Sequence, residues 1–584
     1  VSILAITLSA EVISFPLSNS PSDFRVENGE FVKVYAEGGA PGGQPGNPQY
    51  ATRPLHFLIP PDSRLVSAKI ADAEWSELTR GTPYPAQPPA IISAESPGSA
   101  APNPGAYASD RFYPQKPLLS AESGDMAGYR VAGILVAPIR WNPAEGICEY
   151  LASGNLELNI ERGHRAPQAP ARRSRISANL WESNLAALVE NDGALKSYSI
   201  PVDPDGIDYA VFAAAPLLPY LDELLWLRRS YGLRDTVVSL SDVYADYTGE
   251  DQAEKLRAAI SELYSSCGIS YALIVGDTDW APDRSVFAMD CEAGFYDDEN
   301  EIRCDMYFGN LDGDWNADED TIFGEVEDSV DLYPEVMVGR LTVSDISQYD
   351  GLVDKISRYE AIPGGGFAES GLMISQVMWD DPWTDGAIFK DDIADNVLPD
   401  YFTVGRVHGS AGGTAFAAAD SLNAGPNVVN HAGHANTYLM CIGHGDCLYP
   451  ADMDGLTNLE RPSIFFSIGC WPAAFDKSCI AENFVKNESG GGAAFVGNSR
   501  YGWGSPGNPG WGYSEVLDRA FWLEVFEGHP ALGSALTISR SRYAPYARWE
   551  NVWRWVLYQV NILGDAATPV VTGENRVTLD YDVE

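Results

Sequence analysis

Lysine is nearly missing from this sequence: nine residues of 584, among 38 basic residues set against 82 acidic ones, for a formal charge of −44. So acidic a chain repels phosphate backbones and anionic lipid surfaces, which excludes a nucleic-acid or anionic-membrane binder. Long apolar runs are missing as well; none approaches the ~20 residues that a membrane-spanning helix needs. Cysteine is sparse, with eight residues, too few for a disulfide scaffold of this size. Cys291 and Cys304, which bracket an acidic loop, are expected to form one local bridge and so point weakly to an oxidising compartment. The Lys-poor acidic surface suits secretion, calcium or high salt, and composition does not choose among them.

The 55 glycines and 39 prolines indicate many turns and connections between strands. At about 150 residues per domain, the length predicts three or four structural units. Residues 1–161 read as all-β: runs such as EVISFPL, EFVKVYAE, LHFLIP and YRVAGILVAPI alternate with turn residues, predicting a sandwich or barrel-like domain. The opening VSILAITLSA is expected as a first strand of a mature chain rather than a leader, and Pro83–Pro117 as a long loop. RGHRAPQAPARRSR then places Arg162, Arg165, Arg172, Arg173 and Arg175 in an exposed linker within residues 162–205. It is either a basic strap lying on an acidic neighbour or a processing site.

From residue 206 the period changes. PLLPYLDELLWLRRSYG and DQAEKLRAAISELYSSCG have helical spacing, whereas GISYALIVGD, LYPEVMVGR, GLMISQVMW, NTYLMCIGHG, SIFFSIGC and GGAAFVGNS are short apolar runs. Strands buried on both faces and alternating with helices predict a mostly parallel sheet covered by helices, in two subdomains, 206–365 and 366–573, with a tail at 574–584. Chemistry in such sheets gathers at the carboxyl ends of the strands. Two of these strands end in reactive residues, at Gly443-His444-Gly445-Asp446 and Gly469-Cys470-Trp471. If the strands are neighbours, an imidazole and a thiol emerge at one edge, the pairing that makes a thiolate nucleophile. The Gly445 and Cys470 amides are candidate oxyanion donors. The alternative is a cysteine that only fills space at a strand end.

The order of these pieces is similar to that of the gingipain family of caspase-like (clan CD) cysteine peptidases. YALIVGD, CDMYFGNLDGDW, PEVMVGRL, IGHGD, FSIGCW, CIAENFV with GGAAFVGNS, and NILGDAATPVV follow one another as in that family's catalytic domain. GNPQ, LHFLIPPD and GILVAPIRWNPAEG resemble its β-rich propeptide. The resemblance implies a caspase-like fold, Cys470 as nucleophile, His444 as its base, and Gly445 as an oxyanion donor. It also implies an orienting acid at Asp380, where the family has Glu. Counting eleven residues on from that acid, it implies an Arg-binding carboxylate at Asp391, on what is otherwise a solvated helix face. Trp503 falls at the aromatic wall of the same pocket, its alternative being an ordinary core or surface aromatic.

Residues 290–335 carry 17 Asp and Glu against one base, Arg303. Within them Asn310, Asp312, Asp314, Asn316, Asp318 and Asp320 alternate oxygens in the manner of a Ca²⁺ loop, without completing an EF-hand because Phe323 stands at position twelve. The alternative is a solvated acidic loop, and no organic cofactor is expected. The leading expectation is a secreted or cell-surface cysteine endopeptidase in zymogen form. It would act on protein or peptide substrates, be inhibited by its own propeptide domain and, if Arg-specific, cut its own Arg-rich linker. A sortase-like transpeptidase of the same family and a non-catalytic adhesion or scaffold protein are the alternatives.

Overall fold

Alternating apolar residues in the first third of the chain build two antiparallel sheets. The computed structural model describes residues 9–96, 98–288, 301–362, 365–548 and 550–572. Ser9–Ser18, Ser63–Arg80 and Ile139–Asn142 all pair with the long strand Ile147–Arg162. Ala40–Gly42, Tyr50–Leu58, Tyr129–Val136 and Leu118–Met126 make the second sheet. Phe57, Ile134, Leu156, Leu158 and Ile160 interdigitate between them, which makes this domain a sandwich. The opening run is a strand from Ser9, and residues 1–8 lie outside those described.

The connecting segment is less exposed than expected. Arg165, Arg172 and Arg175 face solvent, but Arg173 is buried and donates from Nη2 to Ala127 O at 3.1 Å. Arg175 already begins the helix Arg175–Leu188, capped by Ser174. The charge reversal marked a connection; burial of Arg173 depends on a carbonyl some 46 residues away, which local pattern does not reveal.

The remainder is a mostly parallel sheet covered by helices, as the alternation predicted. One part has the order Asp235–Ser239, Tyr209–Ala213, Tyr271–Val275, Met337–Leu341, all parallel. The other runs Thr403–His408, Ser370–Ser375, Val428–Ala432, Ser463–Ser467, Gly492–Asn498, with Val560–Leu563 antiparallel at its end. The parts join where Gly564 N donates to Arg340 O at 2.8 Å. Gly339 permits this contact, since a Cβ there would lie 2.5 Å from Gly564 O. DQAEKLRAAISELYSSCG forms Gln252–Cys267, capped by the Asp251 side chain and closed by Gly268 at φ 74°.

One strand is not where its sequence placed it. TYLMCI is no member of the parallel sheet; Leu439–Gly443 belongs to a small antiparallel sheet with Ala435–Asn436 and Asp446–Leu448. The neighbour of the Ser463–Ser467 strand is Val428–Ala432, whose Asn430 and His431 disguised it. Both are fully buried but satisfied: Asn430 by Lys390 and Asp518, His431 by Ser467 and Cys441.

Candidate active site

Cys470 stands three residues beyond Ser463–Ser467, at the carboxyl edge of the sheet. The turn is held from several sides. Asn498 Nδ2 donates to Ile468 O and Gly469 O, both at 2.9 Å, and Trp471 N donates to Arg500 O at 2.7 Å. Trp471 adopts φ 64°, a left-handed conformation costly for a residue with a bulky side chain. The Cys470 thiol is buried, 3.8 Å from Gly502 O. Burial pushes it above its ordinary range, against the opposing hydrogen bonds of Ser93, Gly502 and Ile92.

His444 and Gly445 form the exposed turn between Leu439–Gly443 and Asp446–Leu448, with Gly445 at φ 74°. A Cys441–Cys447 disulfide crosses this hairpin. The bridge expected between Cys291 and Cys304 is not seen: Cys304 is a free, buried thiol and Cys291 lies outside the described residues. Buried His431 supports the hairpin. Burial lowers its pKa to about 4, so it is neutral; Nε2–H donates to Cys441 O at 3.0 Å, leaving Nδ1 to accept from Ser467 Oγ at 2.9 Å. Ser467 Oγ in turn accepts from Gly469 N at 3.2 Å. One imidazole thus ties the His444 hairpin to the Cys470 turn. His434 braces the other side through its Nε2 to Met378 O at 2.7 Å, and Gln376 bonds both His434 N and Gly443 O. His431 and His434 carry no signal in the sequence, because a neutral, structural histidine has no spacing signature.

His444, Gly443, His434 and Asp380 line one cleft of about 580 Å³. The structure therefore brings Asp380 to the imidazole's cleft. Asp391 is not among the residues lining that cleft; on the helix Gly386–Asn396 it pairs with Arg406 at 2.8 Å and His408 at 3.2 Å. Counting along the chain cannot register the helix phase that turns Asp391 toward Arg406. Trp503 is buried beside the Cys470 turn, its ring 6.0 Å from that of Trp555.

A segment of the N-terminal domain lies across this site. Ala90–Ile91 pairs antiparallel with Trp503–Gly504, and Ile92 N donates to Gly502 O at 2.8 Å. Ser93 Oγ bonds both Ala435 N and Ala435 O, at 3.0 and 2.9 Å, and Trp379 Nε1 donates to Ala94 O at 3.1 Å. Ala94 N closes a turn on Ile91 O at 3.0 Å, and Ser93–Ser96 then line the His444 cleft. Pro83–Pro117 is largely the long loop expected, and its residues Ala90–Ile91 add a short strand to the catalytic half.

The acidic stretch does not converge as its alternation suggested. Asp318 and Asp320 come together with Glu325, but Asn316 Oδ1 accepts from Asp320 N and Thr321 N, and Asp314 Oδ1 from Asn316 N. Burial, reinforced by the nearby Asp312 and Asp331 carboxylates, pushes Glu335 well above the usual carboxylate range. Asp331, at the N-terminal domain's edge, accepts from Asp125 N and Asn310 Nδ2, each at 2.7 Å, and is raised to about 6 chiefly by burial. Glu335 Oε1 and Asn310 Oδ1 are buried without a partner.

The model of peptidase family C25 matches residues 202–571. No curated protein matches the chain. Among solved structures, the Arg specific cysteine proteinase gingipain R is 18% identical over 62% of this chain and 78% of its own, with a TM-score of 0.48. The complex of Porphyromonas gingivalis RgpB pro- and mature domains is 17% identical over 62% and 79%, also at 0.48. A structure on zymogenic latency of gingipain K from Porphyromonas gingivalis is 16% identical over 27% of this chain and 95% of its own, at 0.23.

Proposed function

The chain belongs to peptidase family C25, whose model covers more than half of it, and from that premise we propose a secreted cysteine endopeptidase held latent by its own N-terminal domain. The observation that carries this reading is the strand Ala90–Ile91, added in antiparallel register beside Cys470 with Ile92 and Ser93 against the thiol. An antiparallel strand beside a nucleophile is how a peptide substrate is presented. Once the segment leaves, water and substrate reach Cys470. His444 takes the thiol proton, Cys470 attacks the scissile carbonyl, and the Gly445 and Cys470 amides receive the oxyanion. His444 then protonates the leaving amine and activates the water that hydrolyses the acyl-enzyme. Asp380 orients the imidazole from across the cleft. The Cys441–Cys447 disulfide favours an oxidising compartment, hence secretion or the cell surface. Among the described residues no helix is long and apolar enough to cross a membrane.

The test pairs wild type with Cys470→Ala, each intact and after trypsin has cut the Arg162–Arg175 connection. Peptide hydrolysis is expected only in cut wild type. Equal activity in cut Cys470→Ala overturns the assignment of the nucleophile, and no activity in cut wild type after its N-terminal fragment has been removed favours a binding role for the fold.

Calcium belongs to this reading as a structural ion. Orphaned buried oxygens on Asn310 and Glu335, beside carboxylates that raise one another's pKa, fit a hard cation taking oxygen ligands. Asn310, Asp312, Asp331 and Glu335 would hold it. Asp318, Asp320 and Glu325 form a more exposed second candidate.

A further inference from the structure

The segment over Cys470 records what the primary specificity pocket accepts. Ile92 holds the position next to the nucleophile: its N–H donates to Gly502 O, and the two residues before it run antiparallel to Trp503–Gly504. Its side chain is fully buried. It fits over two glycines. A Cβ at Gly502 would lie 3.0 Å from Ile92 Cδ1, and one at Gly504 would lie 3.7 Å from Ile92 Cγ1 and 2.7 Å from the Trp379 ring. Glycine at 502 and 504, with the Trp379 indole alongside, therefore makes an apolar slot shaped for a branched aliphatic chain.

A guanidinium or ammonium in that slot would need an available carboxylate. Glu515 is the buried carboxylate on the far side of Gly504, which is 2.7 Å from where a Cβ on Gly512 would stand. Both its oxygens are committed, Oε1 to Gly510 N at 2.9 Å and Oε2 to Gly512 N at 2.8 Å, and burial raises it to about 7. Asp391 is spent on Arg406 and His408. Asp380 and Asp381 line the His444 cleft beyond Ser93.

We propose that the primary pocket, formed by Gly502, Gly504 and Trp379, selects an aliphatic side chain, with Ile92 as its resident occupant and Ile92–Ser93 in the place of a scissile bond. This rests on the peptidase reading and names its substrate class: peptides cut after isoleucine or valine. Ile92–Ser93 is held back from cleavage by the Ile91–Ala94 turn and by the Ser93–Ala435 clamp, which bend the chain where a substrate would run on. The Arg-rich connection is then cut by another protease rather than by this one.

The experiment uses the full-length chain as wild type, Ile92→Val, Ile92→Arg and Ile92→Gly, with melting curves to verify folding. Iodoacetamide labelling of Cys470 is expected to be about tenfold faster in Ile92→Arg and Ile92→Gly, and near the wild-type rate in Ile92→Val. On Ile92→Gly, which frees the slot with the least disturbance, fluorogenic peptides ending in Ile or Val should be cut about tenfold faster than those ending in Arg or Lys, once trypsin has cut the connection and been inhibited. A peptide aldehyde Ala-Ile-Ile-H should correspondingly inhibit better than Ala-Ile-Arg-H. Slower labelling of Ile92→Arg than of wild type, or a preference for Arg or Lys, overturns the aliphatic pocket and leaves the peptidase standing. Rapid labelling of Cys470 with no peptide cut overturns the peptidase reading, and the pocket with it.

Discussion

Gly469 has no room for a side chain: a Cβ there would stand 2.5 Å from Ala435 Cβ and 3.1 Å from Gly433 O. Ala435 is also the residue that grips Ser93, so the same close approach sets the Cys470 turn and anchors the covering segment. Gly469→Ala is expected to destabilise by about 1–3 kcal/mol and to quicken iodoacetamide labelling of Cys470; a melting curve and a labelling time course read both. The positive φ at Trp471 is the price of aiming Cys470, held by the Arg500 carbonyl and by the Arg500 guanidinium 4.5 Å from the indole centroid. Of the candidate residues, Cys470 and His444 stand out in the sequence because glycines and strand ends mark them, whereas Trp503 is suggested only by the family resemblance. Asp391 was not, because a helix face is chosen by its partners and Arg406 is one of them.

In the proposed mechanism, the hairpin that carries His444 is the element whose rigidity catalysis needs. Its turn is short, its ends are joined by the Cys441–Cys447 bond, and Asp446 caps Ala415 N at 3.1 Å. Replacing both cysteines by serine removes a small closed loop, worth on the order of 2 kcal/mol. The expected outcome is a lower melting temperature together with a reduced kcat in the trypsin-cut enzyme, while Cys470 still labels. Unchanged kcat would mean that His431 and Gln376 suffice to hold the imidazole. The sequence showed Cys441 and Cys447 six residues apart but not that they face each other, since the Leu439–Gly443 run read as a strand of the main sheet.

At the scale of the molecule, the N-terminal domain is joined to the catalytic half by more than the segment over Cys470. Tyr35 stacks on Trp511 at 4.2 Å and donates to Asn508 Oδ1 at 3.0 Å, and Asp125 N reaches Asp331. One cut in the connection therefore need not separate the halves. Arg165 is exposed and Arg173 buried, so brief trypsin treatment should cut first after Arg165 and leave Arg173 intact, as mass spectrometry of the fragments will read. The acidic cluster makes a pH-dependent prediction. Burial raises Asp331 to about 6 in the folded state, above its unfolded value near 3.9, so the folded state holds more protons across that window. Metal-free stability contributed by protonated Asp331 is full below about pH 4 and is lost as pH rises through about 6. Calcium should therefore raise the melting temperature more at pH 7 than at pH 4.5, and Glu335→Gln should shrink that gain. A calcium effect independent of pH and of Glu335 would place the ion elsewhere.

The sequence by itself determined an all-β first domain, the parallel sheet and the two strand-end loops bearing His444 and Cys470, because periodicity and glycine act over a few residues and are written locally. Tertiary structure alone decided what meets at the site. Ile91 pairs with Trp503 across about 400 residues of chain, and His431 links two loops through a strand that its own polarity concealed. Such contacts arise when separate elements pack, where burial and unsatisfied hydrogen bonds select partners that no stretch of sequence specifies alone.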